Sequence, residues 1–290
     1  MQWSRCVAGA VAMSVISTGC RELKQPSRAS SDSSAAPVGA AAPFASHLRN
    51  YTIDATDYAY AHLPLHAPAG WLTLRLVNIG TEQHMLSVVP VPSGYTIAML
   101  TDSLVHLHMP ANAKSSPGVD VVSPGDTAAV TAYFPPGDYV VGCFVKSPDG
   151  TYHVVKGMAG SFDVVAYSDT GSAPHADAVV ALSDKRVALT GNVKAGTRTI
   201  RITTDDPHWE DFQVLRLQPG RTAAEAINWY DNRATVAPSA DAFGGVSSLQ
   251  SGQRSFMTAD FAPGAYLLLF PTGGSDARPT FAQYVLTVAP

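Results

Sequence analysis

Three side chains with metal-binding chemistry follow one another in the middle of the chain. Cys143 ends an apolar run, and His153 and Met158 follow a loop rich in Pro, Asp and Gly. His84, which comes after the turn Asn78-Ile79-Gly80-Thr81, offers a second imidazole. One thiolate, two imidazoles and a thioether form a donor set that suits copper. Zinc remains a rival because it binds Cys and His well, but it gains nothing from a thioether.

Each of these residues also has a simpler interpretation. A lone buried cysteine is usually a small hydrophobic residue. A histidine after a strand is usually a solvated loop residue, and Gly-Met before a strand is usually part of the core. The metal hypothesis therefore depends on the order of the four residues in the chain and on the predicted strands and turns beside them.

The other two cysteines lie in an N-terminal segment typical of an export signal. Arg5 precedes a short apolar run, 6–16, which is shorter than the ~20 residues of a membrane-spanning helix. The run ends in Ser17-Thr18-Gly19-Cys20, which resembles the lipobox of bacterial lipoproteins, with Ser17 where Leu is usual. We expect a signal peptide at 1–19 and lipidation of Cys20, which would anchor the protein to the periplasmic or extracellular face of the bacterial envelope. Plain secretion is the alternative.

If Cys6 is removed with the signal and Cys20 carries lipid, Cys143 has no disulfide partner. Residues 20–46 are rich in Ser, Ala and Pro and have almost no large apolar side chains, so they predict a flexible tether. From Tyr51 onward, short β-branched and aromatic runs separated by Pro/Gly turns predict the strands of an all-β sandwich. The clearest such runs are Leu72–Val77, Ala128–Tyr133 and Tyr139–Val141.

Two landmarks of this pattern recur later in the chain. Gly70 before an apolar strand is echoed by Gly196, 126 residues on, and Gly137 before Tyr139 is echoed by Gly264, 127 residues on. A turn of this type can precede any strand, but that does not explain the common spacing. We therefore predict two modules, at 47–167 and 179–290, joined by a linker at 168–178.

The first module resembles the cupredoxin family over about residues 48–167. The resemblance rests on a strand ending in Asn78-Ile79-Gly80 before His84, on Pro136-Gly137-Asp138-Tyr139, and on the Cys…His…Met loop before a last strand, Gly160–Val164. It implies two tandem cupredoxin-like Greek-key β-sandwich domains. It also implies one type 1 copper ion, the ion of blue copper electron carriers.

The same resemblance implies a role for each ligand. The ligands would be His84, Cys143, His153 and Met158, with Met158 axial and His153 at an exposed apolar end as the electron exit. Nine residues separate Cys143 from His153, more than in small plastocyanin-like proteins of the family.

The second module lacks these donors. Phe270 stands where the first module has Cys143, and Thr280 and Tyr284 lie near the places of His153 and Met158. His208 lies in an acidic stretch that we interpret as a solvated loop. We therefore expect the second module to keep the fold without a mononuclear metal site.

Composition and motifs narrow the function classes further. Nineteen Lys and Arg against 23 Asp and Glu give a formal charge of -4 with no basic stripe, which excludes nucleic acid as a favoured partner. No Gly-x-Ser-x-Gly elbow or phosphate-binding glycine loop is present. Gly142 and Phe144, rather than histidines, flank Cys143, which disfavours a multicopper oxidase or nitrite reductase.

The sequence therefore predicts a non-enzymatic one-electron carrier that works with an unidentified redox partner protein. The alternative is a metal-free or copper-storing binding or scaffold protein at the cell surface. In that case a long loop from Met99 to Val122 would contact the ligand. Within it, His106-Leu107-His108-Met109 could bind copper transiently or lie near a partner, but we interpret it as an exposed loop.

Overall fold

The computed structural model describes residues 49–183, 186–205, 210–232, 236–272 and 280–289. The expected export signal, Cys20, the tether up to residue 46 and His208 lie outside these ranges. No helix in the described ranges is long and apolar enough to span a membrane.

Two β-sheets pack face to face around the main core, which confirms the all-β sandwich predicted from the sequence. Strands with one buried face alternate in burial, as in the run Leu72, Leu74 and Leu76. The elements of the N-terminal half are β1 Asn50–Thr56, β2 Ala59–Ala61, β3 His66–Pro68, β4 Gly70–Asn78, β5 His84–Pro90, α1 Ile97–Val105, β6 Ser116–Val122, β7 Thr127–Phe134, β8 Gly137–Gly142 and β9 Ala159–Val165.

The C-terminal half repeats this succession, except that four strands precede its helix instead of five because β3 has no counterpart. Its elements are β10 Ala178–Ser183, β11 Arg186–Gly191, β12 Gly196–Thr204, β13 Glu210–Leu217, α2 Ala223–Asp231, β14 Ala240–Leu249, β15 Ser255–Phe261, β16 Gly264–Thr272 and β17 Thr280–Val288.

Both sheets run through both halves of the chain. Their strand orders are β11-β10-β12-β15-β7-β4-β1-β2 and β17-β16-β13-β14-β6-β5-β8-β9-β3. The halves meet where β15 pairs with β7 and where β14 pairs with β6, both antiparallel. Outward from these pairs the order repeats: β4 and β12 lie beside the central strands of the first sheet, and β5 and β13 beside those of the second.

Individual contacts repeat as well as strands. The Tyr139 hydroxyl donates to the carbonyl of Pro135 at 2.8 Å, and the Tyr266 hydroxyl donates to the carbonyl of Ala262 at 3.0 Å. Both hydrogen bonds close the same corner before β8 and β16. The boundaries proposed for the two modules stay a prediction.

The expectation of a long loop from Met99 to Val122 was wrong, because this stretch holds most of α1 and all of β6. The Thr96 side chain caps α1 by accepting from the Met99 N–H at 3.2 Å. Leu100 and Leu104, one turn apart, are buried in a small cluster against the outer face of β8. The segment after the helix, His106-Leu107-His108-Met109, is exposed as expected.

Candidate metal centre

Three of the four expected ligands converge inside the N-terminal half. His84 Nδ1 lies 3.1 Å from His153 Nδ1, and Cys143 Sγ lies 3.4 Å from His153 Nδ1 and 4.0 Å from His84 Nδ1. All three side chains are fully buried. Among the described residues this is the one group of three or more His, Cys, Asp or Glu side chains whose ligand atoms come so close together.

A buried asparagine shapes the turn that delivers His84. Asn78 Nδ2 donates to the carbonyls of Glu82 and Val122, both at 2.8 Å, and its Oδ1 accepts from the Gly80 N–H at 3.0 Å. These bonds satisfy the polar groups of the turn between β4 and β5. His84 is the first residue of β5, so the turn sets where its ring enters the core.

Backbone hydrogen bonds fix the loop that carries the other candidates. The Cys143 N–H donates to the Met158 carbonyl at 3.1 Å, and the Met158 N–H donates to the His153 carbonyl at 2.9 Å. The His153 N–H donates to the Val145 carbonyl at 2.9 Å. The loop therefore folds back on itself, and it continues the pairing of β8 with β9 beyond Gly142.

Met158 is fully buried within the same core as Cys143. Its backbone bonds to Cys143 and His153 place it beside both residues. Its axial role stays a prediction.

Each imidazole is held from behind by a carboxylate that the sequence analysis did not identify. His84 Nε2 donates to Asp57 Oδ1 at 2.7 Å, and His153 Nε2 donates to Glu82 Oε2 at 2.9 Å. Only the position of Glu82, two residues before His84, could have suggested one of them. Asp57 precedes its imidazole by 27 residues and lies between β1 and β2.

Both carboxylates are ionised. Burial acts to raise the pKa of Asp57 and of Glu82, but the hydrogen bonds they accept outweigh it and leave both pKa values below the ordinary range. Asp57 accepts from Thr81 and His84, and Glu82 accepts from Tyr58 and His153. An ionised carboxylate can only accept, so each imidazole carries its proton on Nε2.

This tautomer leaves a lone pair on each Nδ1. Burial lowers the pKa of His84 and of His153 against the opposing carboxylate hydrogen bonds, so both rings are neutral near pH 7. With both protons on Nε2, the two Nδ1 atoms face each other at 3.1 Å as acceptors. The protonated thiol of Cys143 can donate to His153 Nδ1 at 3.4 Å, and the three atoms together form a group that could hold one metal ion.

The spacing of the three donor atoms fits one ion. Nitrogen and sulfur ligands bound to one metal at about 2.0–2.3 Å lie about 3.3–3.8 Å from each other. The observed separations of 3.1, 3.4 and 4.0 Å bracket that range. The Met85 N–H also donates to Cys143 Sγ at 3.4 Å, a contact that stabilises negative charge on sulfur. Burial raises the pKa of the Cys143 thiol to about 11, so a bound metal must displace its proton.

The expectation that His153 faces an exposed end was wrong. Its ring is fully buried, and Glu82 covers the Nε2 edge that would otherwise meet solvent. Glu82 is itself partly exposed and lines a cleft of about 870 Å³ between the site's loop and α2. Glu82 therefore lies between the His153 ring and the solvent.

Tyr58 extends this contact toward the surface. Its hydroxyl donates to Glu82 Oε1 at 2.7 Å and lies 3.2 Å from both Ser147 Oγ and Lys156 Nζ. Its ring meets the His153 ring edge to face at 4.9 Å between centroids. Tyr58 thus holds Glu82 in place and packs against His153.

Register identifies the counterparts of the ligands in the C-terminal half. Phe270, six residues after Gly264, matches Cys143 and is fully buried. Its strand partner is Ala282, so Ala282 matches Met158. From the sequence, Tyr284 is expected near this position, but Tyr284 lies two residues further along the strand. β13 begins at Glu210, just as β5 begins at His84.

No family model matches the sequence, and no curated protein does either. Among solved structures, the chain is similar to a dithionite-reduced auracyanin from Roseiflexus castenholzii at 21% identity, over 40% of this chain and 97% of that one, with a TM-score of 0.29. It is similar to auracyanin A, a "blue" copper protein from Chloroflexus aurantiacus, at 20% identity, over 40% and 99% of the chains, with a TM-score of 0.29. A multicopper oxidase matches at 15% identity over 83% and 89%, with a TM-score of 0.26. The site's own geometry carries the functional argument.

Proposed function

We propose that the protein binds one copper ion and transfers single electrons. The observation that carries the proposal is the buried cluster of His84, Cys143 and His153, whose two Nδ1 atoms and one sulfur lie within 4.0 Å of one another. Met158 is proposed as a fourth, weaker ligand because its backbone pairs directly with Cys143. A bound copper ion would supply a one-electron Cu(I)/Cu(II) couple.

The chain's own residues favour electron transfer over ligand exchange. The three donors are fully buried, and backbone hydrogen bonds fix the loop on which Cys143 and His153 lie. Such a site keeps its ligands in place in both oxidation states, which keeps the reorganisation on electron transfer small. Electrons would cross between the site and the surface at Glu82 and Tyr58 rather than at a bare edge of His153.

The decisive test is a Cu(II) titration of the purified, metal-free protein. We expect an intense visible band from thiolate-to-copper charge transfer, with one copper per chain retained after dialysis. Cys143→Ser should abolish the band, whereas Met158→Leu should keep the colour and shift the reduction potential. A colourless protein that loses its copper on dialysis, or that prefers zinc without any thiolate band, would refute the proposal.

Copper storage or delivery shares the same ligands and is separated from electron transfer by kinetics. Full burial of the donors predicts slow release of Cu(I). Transfer of Cu(I) to a competing chelator should therefore be much slower than electron exchange with a small redox reagent. Rapid transfer would favour storage or delivery.

We further propose that the protein is tethered to the bacterial envelope through lipid on Cys20 and the segment 20–46, and that residues 47–167 and 179–290 are duplicated modules. The repeated strand order and the equivalent Tyr139 and Tyr266 hydrogen bonds support the duplication. The lipid is tested by mass spectrometry of the mature protein. An unmodified N-terminus at any other residue would refute the anchor.

A further inference from the structure

Besides His106 with Asp102 at the end of α1, the described residues contain four imidazole–carboxylate pairs, and two of these four differ from the others in burial. His62 pairs with Asp54, and His66 pairs with Asp163, but these imidazoles are 73% and 66% exposed. The imidazoles of His84 and His153 are fully buried. A buried ring whose Nε2–H has one carboxylate acceptor cannot turn without losing that hydrogen bond, whereas an exposed ring can exchange its acceptor for water.

The carboxylates behind the buried rings are themselves held. Asp57 Oδ2 accepts from the Thr81 N–H at 2.9 Å and from the Thr81 hydroxyl at 2.6 Å, which leaves Oδ1 facing His84. Glu82 Oε1 accepts from the Tyr58 hydroxyl at 2.7 Å, which leaves Oε2 facing His153. Each carboxylate therefore has one oxygen anchored to the protein and one oxygen that accepts from an imidazole, and Asp57 Oδ1 also accepts from the Glu82 N–H at 3.3 Å.

We propose that Asp57 and Glu82 are positioning residues that fix both imidazoles with Nδ1 turned inward before metal binds, and that their charges favour Cu(II) over Cu(I). The second part rests on the proposed copper site, whereas the first part does not. Carboxylates behind metal-binding histidines orient the ring and raise its basicity as a ligand.

The preference for the higher charge follows from electrostatics. Cys143 contributes one negative charge as a thiolate, so Cu(I) at the site is already neutralised and Cu(II) is not. Asp57 and Glu82 add two negative charges one imidazole away, and these attract the divalent ion more strongly. Both side chains are slightly exposed, at 23% and 22%, so solvent reduces the effect without removing it.

The positioning claim is tested on the metal-free protein by nitrogen-15 NMR of the histidine side chains. We expect His84 and His153 to show the Nε2–H tautomer with slowly exchanging protons, while His62 and His66 exchange freely. An Nδ1–H tautomer at either buried ring would overturn the positioning claim whether or not copper binds. Correct tautomers in a protein that takes up no copper would support the positioning claim and refute the proposed function.

The charge claim is tested with Glu82→Gln. The glutamine oxygen can still accept from His153 Nε2, and its amide can donate to the Tyr58 hydroxyl, so the ring keeps its partner while the charge is lost. We expect the visible band to remain and the affinity for Cu(II) relative to Cu(I) to fall about tenfold, which is a rise of about 59 mV in potential for a one-electron couple. Glu82→Ala removes partner and charge, and it should also broaden the tautomer signal of His153.

The matched control is Asp163→Asn, which removes the carboxylate from the exposed His66 pair. This variant should leave the potential, the visible band and the tautomers of His84 and His153 unchanged. A potential in Glu82→Gln no higher than in Asp163→Asn would overturn the charge claim. An unaltered His153 tautomer in folded Glu82→Ala would overturn the positioning role of Glu82.

Discussion

Substitution of Gly80 by alanine should disturb the proposed metal site without changing any of the proposed ligands. A Cβ built on Gly80 would lie 2.7 Å from His84 Nε2 and closer still to Asp57 Oδ1, so it would intrude on the hydrogen bond between them. The backbone of Gly80 is not in the left-handed region that requires glycine. Any effect of Gly80→Ala therefore reports the contact and not backbone strain.

The expected loss of unfolding free energy follows from the hydrogen bond between Asp57 and His84 that the new Cβ would break. Asp57 cannot simply rotate aside, because its other oxygen is bound to the N–H and the hydroxyl of Thr81. Losing one hydrogen bond to a charged group costs about 1.5–3 kcal/mol of unfolding free energy. For a folded unit of this size, a loss of about 2 kcal/mol lowers the melting temperature by about 4–8 °C.

Thermal unfolding of the metal-free protein, followed by copper titration, measures both consequences. We expect Gly80→Ala to melt lower and to bind Cu(II) more weakly, because His84 loses the carboxylate that orients it. Gly160→Ala is the matched control. Its Cβ would also be crowded, but by the end of the flexible Leu63 side chain, which can move away. Wild-type melting and copper affinity in Gly80→Ala would refute the idea that the Asp57–His84 bond organises the site.

Two further predictions concern the fold. Arg216 donates to both oxygens of Asp126, at 3.1 and 2.9 Å, and burial raises the pKa of Asp126 despite the opposing effect of this guanidinium. A raised pKa favours the folded state in acid, and this contribution is lost as pH rises. Arg216→Ala should therefore cost about 1–2 kcal/mol at pH 8 and less at pH 4 in urea unfolding, and equal losses would contradict this. Tyr139→Phe and Tyr266→Phe should each cost about 1 kcal/mol, additively in the double variant, and a large effect in only one would contradict their equivalence.

The sequence predicted that three of the candidate donors lie close together, because the position of each donor relative to a strand is a local feature. Cys143 follows the end of β8, His153 comes shortly before β9, and His84 starts β5. Pairing of β5 with β8, and of β8 with β9, then brings these positions together. The order of the donors and the strands and turns around them predicted the cluster, but these strand pairings were not predicted.

The carboxylates were not predictable in the same way. Asp57 lies in the turn between β1 and β2. It reaches His84 because β1 lies beside β4, in the sheet that packs against the sheet containing β5. Nothing local distinguishes Asp57 from other acidic turn residues in the sequence. The burial of His153 was missed for a related reason, since it depends on Glu82 from another loop.

The joining of the two halves into continuous sheets also escaped the sequence analysis. Gly118 lies in β6, where a Cβ would collide with the Leu86 carbonyl, so its presence permits the close approach of β5. In the sequence, Pro117-Gly118 indicates a turn instead of a strand. Glycine at a close backbone approach and glycine at a turn cannot be told apart without the neighbouring strand.

The continuous sheets give the C-terminal half a structural role beside the candidate site. β5, which carries His84, pairs with β6, and β6 pairs on its other side with β14 of the C-terminal half. Gln213 reinforces this junction by donating to the Val121 carbonyl at 3.1 Å and to the Gly244 carbonyl at 2.8 Å. Without the C-terminal half, β6 and β7 would become open sheet edges with unpaired backbone groups. Phe270, which is fully buried, takes the position in β16 that matches Cys143, while the strands of this half still pair with β6 and β7 beside the candidate site.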